Sequence, residues 1–250
     1  MAFMSNAVQI AHLDFRYPRH AAFSIQDLNL SIEQGERFGL FGPNGAGKTT
    51  LMNLMTGLRQ FNSGSIRLLN QELGKRRKEI FGLFGYVPQD FAFYQELSPR
   101  ENLEFFGAWY GLNAAGIKKR THELTEILGL AEYADQRVQE FSGGMKRRVN
   151  LAIAVMHKPK ILFLDEPTVG VDVQTRHAII GYLKSLNESG TTLIYTSHQL
   201  AEAEELCERI ALMDEGKILV HDDIVHLLTT YKQEGLEGLF LKLTGKAFRD

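Results

Sequence analysis

The sequence of 250 residues predicts an α/β fold built on a doubly wound, mainly parallel sheet. Three observations carry this prediction. An apolar run at 38–41 leads into a glycine-rich segment and then into a helical pattern. Beyond residue 160, strand-like apolar runs alternate with helical patterns, as in parallel sheets with crossover helices. Between these regions, residues 99 to about 157 have a helical pattern throughout, which indicates an inserted α-helical subdomain.

The first forty residues predict an N-terminal antiparallel β layer. Residues 8–15 alternate loosely between apolar and polar side chains, and residues 23–32 set apolar side chains among polar ones. After the glycine-rich segment we expect a helix through residue 58 and a strand at 66–69. A short strand at 86–87 follows, and Pro88 ends it.

Glycines divide the remainder of the chain into predicted elements. In the helical insert, helices are expected at 101–109, 118–128 and 142–156. The strands beyond the insert are expected at 161–164, 191–196 and 209–213, with helices at 173–186 and 200–208 between them.

The glycine-rich segment is GPNGAGKTT at 42–50, a complete match to the phosphate-binding loop pattern. The glycines let backbone N–H groups turn inward around phosphate oxygens, where a Cβ atom would crowd the anion. Lys48 is expected to reach the β- and γ-phosphates of ATP or GTP, and Thr49 to offer its hydroxyl to Mg²⁺. A plain strand-to-helix turn capped by glycine is the alternative. The nucleotide-binding candidates are Gly42, Pro43, Asn44, Gly45, Ala46, Gly47, Lys48, Thr49 and Thr50.

Two carboxylates follow the apolar strand at 161–164. Ligands of parallel sheets gather at the carboxyl ends of the strands, which is the edge that the phosphate loop also occupies. Asp165 is therefore expected to hold Mg²⁺, directly or through water, and Glu166 to polarise an attacking water. The alternative is an acidic turn before Pro167.

A second helix terminus that can bind an anion is expected at 141–145, FSGGM. Ser142 can cap the helix, and Gly143 and Gly144 expose backbone N–H groups. The capping role and a role toward a γ-phosphate in another protomer are compatible, since both use the same helix dipole.

Composition limits the class of protein. The formal net charge is −2 with mixed signs, which gives no reason to expect a nucleic-acid partner. A single cysteine, Cys207, together with the nucleotide site favours a reducing, cytoplasmic compartment. No apolar run approaches the length of a membrane span, and residues 1–5 are not followed by the apolar core of a signal peptide.

Six ordered motifs together resemble one family. GPNGAGKTT, YVPQ with Gln89, FSGGM, ILFLDE, VGVD ending at Asp172, and His198 after IYTS occur in the order and rough spacing of the nucleotide-binding subunits of ATP-binding cassette (ABC) transporters. The resemblance spans nearly the whole chain. It implies a P-loop NTPase fold and ATP hydrolysis with Mg²⁺. It also implies a head-to-tail homodimer, in which each ATP lies between the phosphate loop of one subunit and the FSGGM segment of the other.

The resemblance also assigns roles to single residues. Tyr17 resembles the aromatic residue that stacks on adenine, with Phe15 as a competing stacker. Gln89 resembles the residue that links Mg²⁺ to the membrane subunit, against an ordinary loop position. His198 resembles the γ-phosphate switch, and Asp172 the aspartate that communicates across the dimer, although Asp172 also suits a helix N-cap. Catalysis is thus expected from Glu166, His198 and Gln89, and metal binding from Thr49, Gln89 and Asp165.

Details of the motifs point to a branch of the family. Phe141 and Met145 depart from the usual Leu-Ser-Gly-Gly-Gln signature, and the loss of the glutamine removes one possible nucleotide contact. The runs GMKRR and PTVGVD, with the closing LKLTGKAFRD, resemble the ABC-2 type exporters. This branch pairs the ATPase with a separate membrane permease of six helices, so the resemblance implies export of an unknown substrate from the cytoplasmic face of the membrane.

The resemblance implies a single ABC ATPase domain with three parts. The α/β catalytic core comprises 1–89 and 158–225, the helical subdomain 90–157, and a C-terminal tail 226–250. The tail departs from the branch pattern at 235–239.

The predicted helix at 101–109 is apolar on more than one face, with Phe105, Phe106, Trp109 and Tyr110 at and beyond its centre. One face packs into the insert, and the remainder suggests an interface. With Phe91, Phe93 and Tyr94, this helix is hypothesised to form a groove for a cytoplasmic helix of the membrane subunit. Basic clusters at 75–78, 118–120 and 146–148 are expected to be solvated helix faces, with lipid headgroups or nucleic acid as lesser alternatives.

Two other classes stay open. One is a soluble ABC ATPase without a transporter, acting on ribosomes, DNA or iron–sulfur assembly. Of these three, the length of this chain fits only the iron–sulfur ATPase. The other is a phosphotransferase kinase, which has no need of FSGGM and places no water-activating glutamate after Asp165.

Overall fold

The chain folds around two β-sheets. The computed structural model describes residues 5–18, 20–74 and 80–245. The smaller sheet is antiparallel, in the strand order β2-β1-β4-β5. Its strands are β1 (Asn6–Tyr17), β2 (His20–Glu33), β4 (Ser63–Leu68) and β5 (Gln71–Glu72). This confirms the N-terminal antiparallel layer, because both long strands pair along most of their length.

The larger sheet has six strands in the order β10-β9-β3-β8-β7-β6. All neighbours from β9 to β6 run parallel, and β10 pairs antiparallel with β9 at the edge. Its strands are β3 (Arg37–Phe41), β6 (Phe84–Val87), β7 (Ile161–Asp165), β8 (Thr192–Ser197), β9 (Arg209–Asp214) and β10 (Lys217–Asp223). The mainly parallel sheet is therefore confirmed, and β10 is a strand that the sequence analysis did not predict.

Eight α-helices lie wholly within the described part of the chain. In chain order they are α1 (Lys48–Met55), α2 (Pro99–Trp109), α3 (Ala114–Ile127), α4 (Gly143–Ala154), α5 (Val173–Glu188), α6 (Leu200–Leu206), α7 (Ile224–Tyr231) and α8 (Leu236–Thr244). Helix α1 ends three residues before the predicted end, because Gly57 adopts a left-handed conformation with φ of 71°. Helix α2 begins two residues early, because Ser98 and Glu101 form a reciprocal capping box.

The helical insert contains α2, α3 and α4, as predicted, but residues between α3 and α4 form only 3₁₀ turns at Ala131–Tyr133 and Val138–Glu140. These turns lie in the interval between the helices predicted at 118–128 and 142–156. The tail from residue 226 continues α7 and includes α8, which the sequence analysis did not predict. The exact boundaries of the core, the helical subdomain and the tail stay a prediction.

Strand β7 lies at the centre of the packing and is buried on both faces of the sheet. Leu162 and Leu164 face the core that the insert and C-terminal helices share, whereas Ile161 and Phe163 face the core beneath the antiparallel sheet. Such burial on two sides is typical of parallel strands and explains the continuous apolar run. It also holds the carboxyl end of β7, and with it Asp165, in one place.

The basic clusters depart from expectation. The cluster at 75–78 lies outside the described residues, but the other two are not simply solvated. Arg120 donates to the carbonyl of Val155 at 3.0 Å, and Arg148 donates to that of Leu128 at 3.0 Å. Their guanidinium groups satisfy backbone carbonyls near helix ends, where unpaired acceptors would cost free energy. No described helix has the length and apolar character of a membrane span.

Candidate functional site

The phosphate-loop sequence forms a turn between β3 and α1, and its glycines have steric reasons. A Cβ atom at Gly42 would lie 2.0 Å from the backbone oxygen of Met213 on neighbouring strand β9. Gly45 and Gly47 adopt left-handed φ angles of 83° and 106°, which side chains rarely tolerate. The loop therefore has its backbone close to the sheet edge and free of side chains at these positions.

Lys48 lies inside this loop. Its Nζ atom donates to the carbonyl oxygens of Gly42 at 2.8 Å and Pro43 at 3.2 Å, and the side chain is buried. Burial lowers the pKa of Lys48, while the carboxylates of Glu166 and Asp165 oppose that shift. The Lys48 ammonium group is thus held inside the phosphate loop by hydrogen bonds to the loop's own backbone carbonyls.

A cavity of about 430 Å³ opens over the loop. It is lined by Tyr17, Asn44, Gly45, Gly47, Lys48, Thr49, Thr50, Gln89 and Glu166. Tyr17 hydrogen bonds to Thr50 at 3.0 Å through its hydroxyl, and the guanidinium of Arg59 lies 4.6 Å from its ring centroid. The competing stacker, Phe15, is buried, so Tyr17 is the aromatic residue that reaches the cavity.

Asp165 ends β7 beside Thr49. Its Oδ1 atom accepts hydrogen bonds from Thr49 at 3.3 Å and from Thr196 at 2.7 Å. Its Oδ2 atom is buried and has no hydrogen-bond partner. Burial raises the pKa of Asp165, and the two threonine hydroxyls and Lys48 counteract this shift. A carboxylate oxygen without a partner next to a threonine hydroxyl suits a hard divalent cation, so the residues present fit Mg²⁺.

Glu166 follows with a positive φ of 50°, which turns its side chain out of the strand. Its backbone N–H lies against Thr196, 3.2 Å from the carbonyl oxygen and 3.1 Å from Oγ1. Its carboxylate accepts from Gln89 Nε2 at 3.1 Å, and the other carboxylate oxygen lies 3.3 Å from Nδ1 of His198. Gln89 and His198 therefore lie on opposite oxygens of the Glu166 carboxylate, and of these three residues Gln89 and Glu166 line the cavity.

Gln89 is supported from the insert. The guanidinium of Arg147 on α4 donates to the Gln89 carbonyl oxygen and lies over the ring of Phe91, 4.8 Å from its centroid. Arg147 is buried, and burial lowers its pKa. The helix that begins with the FSGGM segment is thus joined to the loop that carries Gln89.

The FSGGM segment does not line the cavity of its own chain. Ser142 caps α4 by accepting from the Met145 backbone N–H at 3.3 Å, and Ser142 and Gly143 are exposed. Asp172 caps α5 through Thr175, whose N–H lies 2.8 Å from its carboxylate. The Thr175 hydroxyl also donates to this carboxylate, and the hydrogen bonds from the hydroxyl and the N–H lower the pKa of Asp172. A Cβ atom at Gly144 would lie 3.2 Å from Thr175, so the two helix starts pack closely.

The sequence analysis missed residues that support the site from behind. Thr196 contacts both Asp165 and Glu166. Glu202 on α6 accepts hydrogen bonds from the hydroxyl groups of Thr168, Tyr195 and Ser197. The available signal was polar residues within buried elements: Thr196 and Ser197 end an otherwise apolar strand. Such residues need hydrogen-bond partners, but the partners are distant in the sequence.

The family model described as "ABC transporter" matches residues 25–169, more than half of the chain. A linearmycin resistance ATP-binding protein, LnrL of Bacillus subtilis, is 46% identical over 195 residues, which are 78% of this chain and 63% of that protein. A Nod factor export ATP-binding protein I of Paraburkholderia xenovorans is 41% identical over 193 residues, covering 77% and 64%. The chain thus spans less than two thirds of the length of these relatives.

Solved structures agree with the sequence relatives. An ATP-binding subunit of an ABC transporter superposes with a TM-score of 0.87 at 25% identity, covering 95% of this chain and 99% of that one. A dimeric ATP-binding cassette in a post-hydrolysis state with ADP and Pi superposes with a TM-score of 0.79 at 26% identity, covering 86% and 98%. With the phosphate loop, the carboxylates and the helical insert in place, the chain belongs to the ABC transporter family.

Proposed function

We propose that the chain binds ATP with Mg²⁺ in the cavity over the phosphate loop and hydrolyses it to drive export through a separate membrane subunit. One observation carries the catalytic part of the proposal. The Glu166 carboxylate lies at the cavity edge, next to the loop that would hold the phosphates, with Gln89 against one of its oxygens and His198 near the other.

Binding rests on the loop and its surroundings. Backbone N–H groups of residues 42–50 and the ammonium of Lys48 would hold the phosphates, and the N-terminus of α1 adds its dipole. The ring of Tyr17 would stack on the adenine. Mg²⁺ would be held by Thr49, Asp165 and Gln89. When bound, it would neutralise negative charge on the phosphates.

Hydrolysis requires a positioned water. The carboxylate of Glu166 orients that water and accepts its proton, because it lies beyond Asp165 at the cavity edge and is buried. Gln89 holds one carboxylate oxygen, and the imidazole of His198 lies beside the other. His198 would contact the γ-phosphate. Most of the rate then comes from positioning and electrostatics.

The site of one chain is incomplete without a second copy. Ser142 and Gly143 are exposed, and the N-terminus of α4 lies away from the cavity of its own chain. An antiparallel homodimer would bring this positive helix end to the γ-phosphate held by the partner copy, with Asp172 near the contact. The dimeric state of one solved relative supports this arrangement. Closure on ATP and reopening after hydrolysis would drive the membrane subunit.

Export is favoured by the names of the relatives, which concern linearmycin resistance and Nod factor export. These relatives give no support to the iron–sulfur alternative. An aromatic surface made of Tyr94, Phe105 and Trp109 is the proposed contact with the membrane subunit, since Trp109 is 76% exposed. The chain would then act at the cytoplasmic face of the membrane, and nucleic acid is not a partner in this proposal.

The function is tested with Glu166→Gln, which removes the charge and keeps the shape. We expect ATP binding to be retained, turnover to fall at least roughly a hundredfold, and a dimer to accumulate with ATP in size-exclusion chromatography. Glu126→Gln, on the exposed side of α3, is the matched control and should leave turnover unchanged. Undiminished turnover in Glu166→Gln would refute the catalytic assignment.

The dimer is tested by crosslinking. Ser142→Cys and Asn44→Cys place thiols at two exposed positions, while the native Cys207 is buried. A disulfide between copies should form with a nonhydrolysable ATP analogue and not without nucleotide. Glu132→Cys in place of Ser142→Cys is the control position. If the pair never crosslinks with nucleotide present, the antiparallel dimer is wrong.

A further inference from the structure

A buried carboxylate lies behind the catalytic edge. Glu202 is 2% exposed and belongs to α6. The hydroxyl of Thr168 donates to both of its carboxylate oxygens at 2.9 and 3.0 Å. Tyr195 donates to Oε2 at 2.7 Å and Ser197 donates to the same atom at 2.8 Å. Three hydroxyl groups from two separate chain segments therefore converge on one side chain.

These donors are themselves buried and ordered by further contacts. The hydroxyls of Thr168 and Tyr195 lie 2.9 Å apart, and Ser197 Oγ accepts from the Gln199 backbone N–H at 2.9 Å. Burial, followed by the charge of Glu202, raises the pKa of Tyr195, so its hydroxyl stays a donor. A fully connected polar network of this kind holds its members in one arrangement.

Two of the donors lie close to the proposed catalytic residues in the sequence. Thr168 follows Glu166 by two residues, with Pro167 between them restricting the backbone. Ser197 directly precedes His198. The network thus anchors both segments that carry the Glu166 carboxylate and the His198 imidazole, whose nearest atoms are 3.3 Å apart.

We propose that Glu202 is a positioning residue, which holds the segments of Glu166 and His198 at their mutual distance through Thr168, Tyr195 and Ser197. This inference rests on the proposed ATP hydrolysis and deepens it. Glu202 is not among the residues that line the cavity over the phosphate loop. Its loss therefore affects the step in which water is oriented, whereas binding through the phosphate loop is independent of it.

The principal variant is Glu202→Gln in the full chain. We expect kcat for ATP to fall roughly tenfold to a hundredfold, because a displacement of about 1 Å at a catalytic group has effects of this size. KM for ATP and the Kd for ATPγS from calorimetry should stay within about threefold of the wild-type values. Glu205→Gln is the matched control on the same helix, since Glu205 faces Arg176 and His177 instead.

A second pair of variants keeps the proposal testable if Glu202→Gln does not fold. Thr168→Val removes the hydroxyl and keeps the shape, and Thr168→Ser retains the hydroxyl. Thr168→Val should lose at least about fivefold in kcat, and Thr168→Ser should recover most of it at unchanged KM. If Thr168 acted through packing alone, kcat would not depend on whether the variant keeps the hydroxyl.

The outcomes distinguish the two proposals. If the wild-type chain hydrolyses no ATP under conditions in which it binds ATPγS and dimerises, the proposed function fails. If the wild type turns over and Glu202→Gln is within twofold of it, the inference alone is overturned. Equal kcat in Thr168→Val and Thr168→Ser, or a loss of ATPγS binding that matches the loss of turnover, likewise overturns it.

Discussion

Thr196 donates a hydrogen bond to Asp165 Oδ1 at 2.7 Å, and the two residues belong to neighbouring parallel strands. The same threonine lies against the Glu166 backbone N–H through both its carbonyl oxygen and its hydroxyl oxygen. One side chain of β8 thus supports the proposed metal ligand and the proposed base. The second oxygen of Asp165 has no such partner, so its carboxylate is buried at a cost in the absence of a cation.

The first prediction concerns pH and Asp165. Because burial raises its pKa, Asp165 contributes stability below its ordinary pKa of 3.8, and this contribution is lost as pH rises through the folded-state pKa. Asp165→Asn removes the buried charge. Its thermal unfolding midpoint should therefore exceed that of the wild type at pH 7.5 without nucleotide, and the difference should shrink toward pH 4.

The control for that experiment is Asp135→Asn. Arg100 lowers the pKa of Asp135, mainly through their hydrogen bond. Ionised Asp135 therefore stabilises the fold at neutral pH, and this contribution is lost as pH falls, which is the opposite pH dependence to that of Asp165. Asp135→Asn should not raise the unfolding midpoint at pH 7.5. A lower midpoint of Asp165→Asn than of the wild type at pH 7.5 would contradict the argument.

The second prediction concerns the glycines of the phosphate loop. Gly42→Ala forces a Cβ atom against the Met213 backbone, so the loop or β9 must move; we expect a loss of about 2–3 kcal/mol in unfolding free energy and of ATP binding. Gly45→Ala is the matched control, because its Cβ position is open and only the left-handed φ costs about 1 kcal/mol. Denaturant unfolding measures both. Equal losses would show that the contact with Met213 is unimportant.

The third prediction concerns the link between α4 and Gln89. Arg147→Met removes the donor to the Gln89 carbonyl and the contact with Phe91, while it keeps an apolar stem. We expect the unfolding free energy to fall by about 1–3 kcal/mol and turnover to fall more than ATP binding. Lys146→Met, one residue earlier on the same helix, should change neither by a comparable amount. A neutral Arg147→Met would remove the link from the account.

The fourth prediction concerns the aromatic surface. Tyr94 and Phe105 are 47% and 44% exposed, and their rings contact at 5.0 Å. A double variant, Tyr94→Glu with Trp109→Glu, should keep ATPase activity and thermal stability but lose copurification with the membrane subunit, because charges would have to be desolvated in the contact. Val225→Glu on α7 is the control, because Val225 is 73% exposed, close to the 76% of Trp109. Intact copurification of the double variant would assign the contact to another surface.

Local sequence patterns predicted many of the elements of the fold. The apolar runs at 161–164, 191–196 and 209–213 predicted strands that the structure has at nearly those bounds, because buried parallel strands need apolar side chains on both faces. The glycines of the phosphate loop and the capping residues Ser142 and Asp172 were likewise readable, since their conformations and hydrogen bonds are local.

Other elements could not be read locally. Strand β10 pairs at the sheet edge and is only partly buried, so its side-chain pattern is weak. The 3₁₀ turns between α3 and α4 depend on contacts such as the Val138 N–H with the Leu97 carbonyl, which joins distant parts of the chain. Arg120 and Arg148 looked like solvated charges because their acceptors are carbonyls 35 and 20 residues away.

The sequence by itself determined the order of the motifs, and from it predicted which residues would bind phosphates and orient water, because those functions require particular residue types at particular spacings along a strand, loop and helix. Only the tertiary structure decided that Thr196 supports Asp165 and Glu166, that Arg147 joins α4 to Gln89, and that Glu202 joins the segments of Glu166 and His198. The physical reason is that side-chain hydrogen bonds between elements depend on how the sheet and helices pack, and no local pattern encodes that packing.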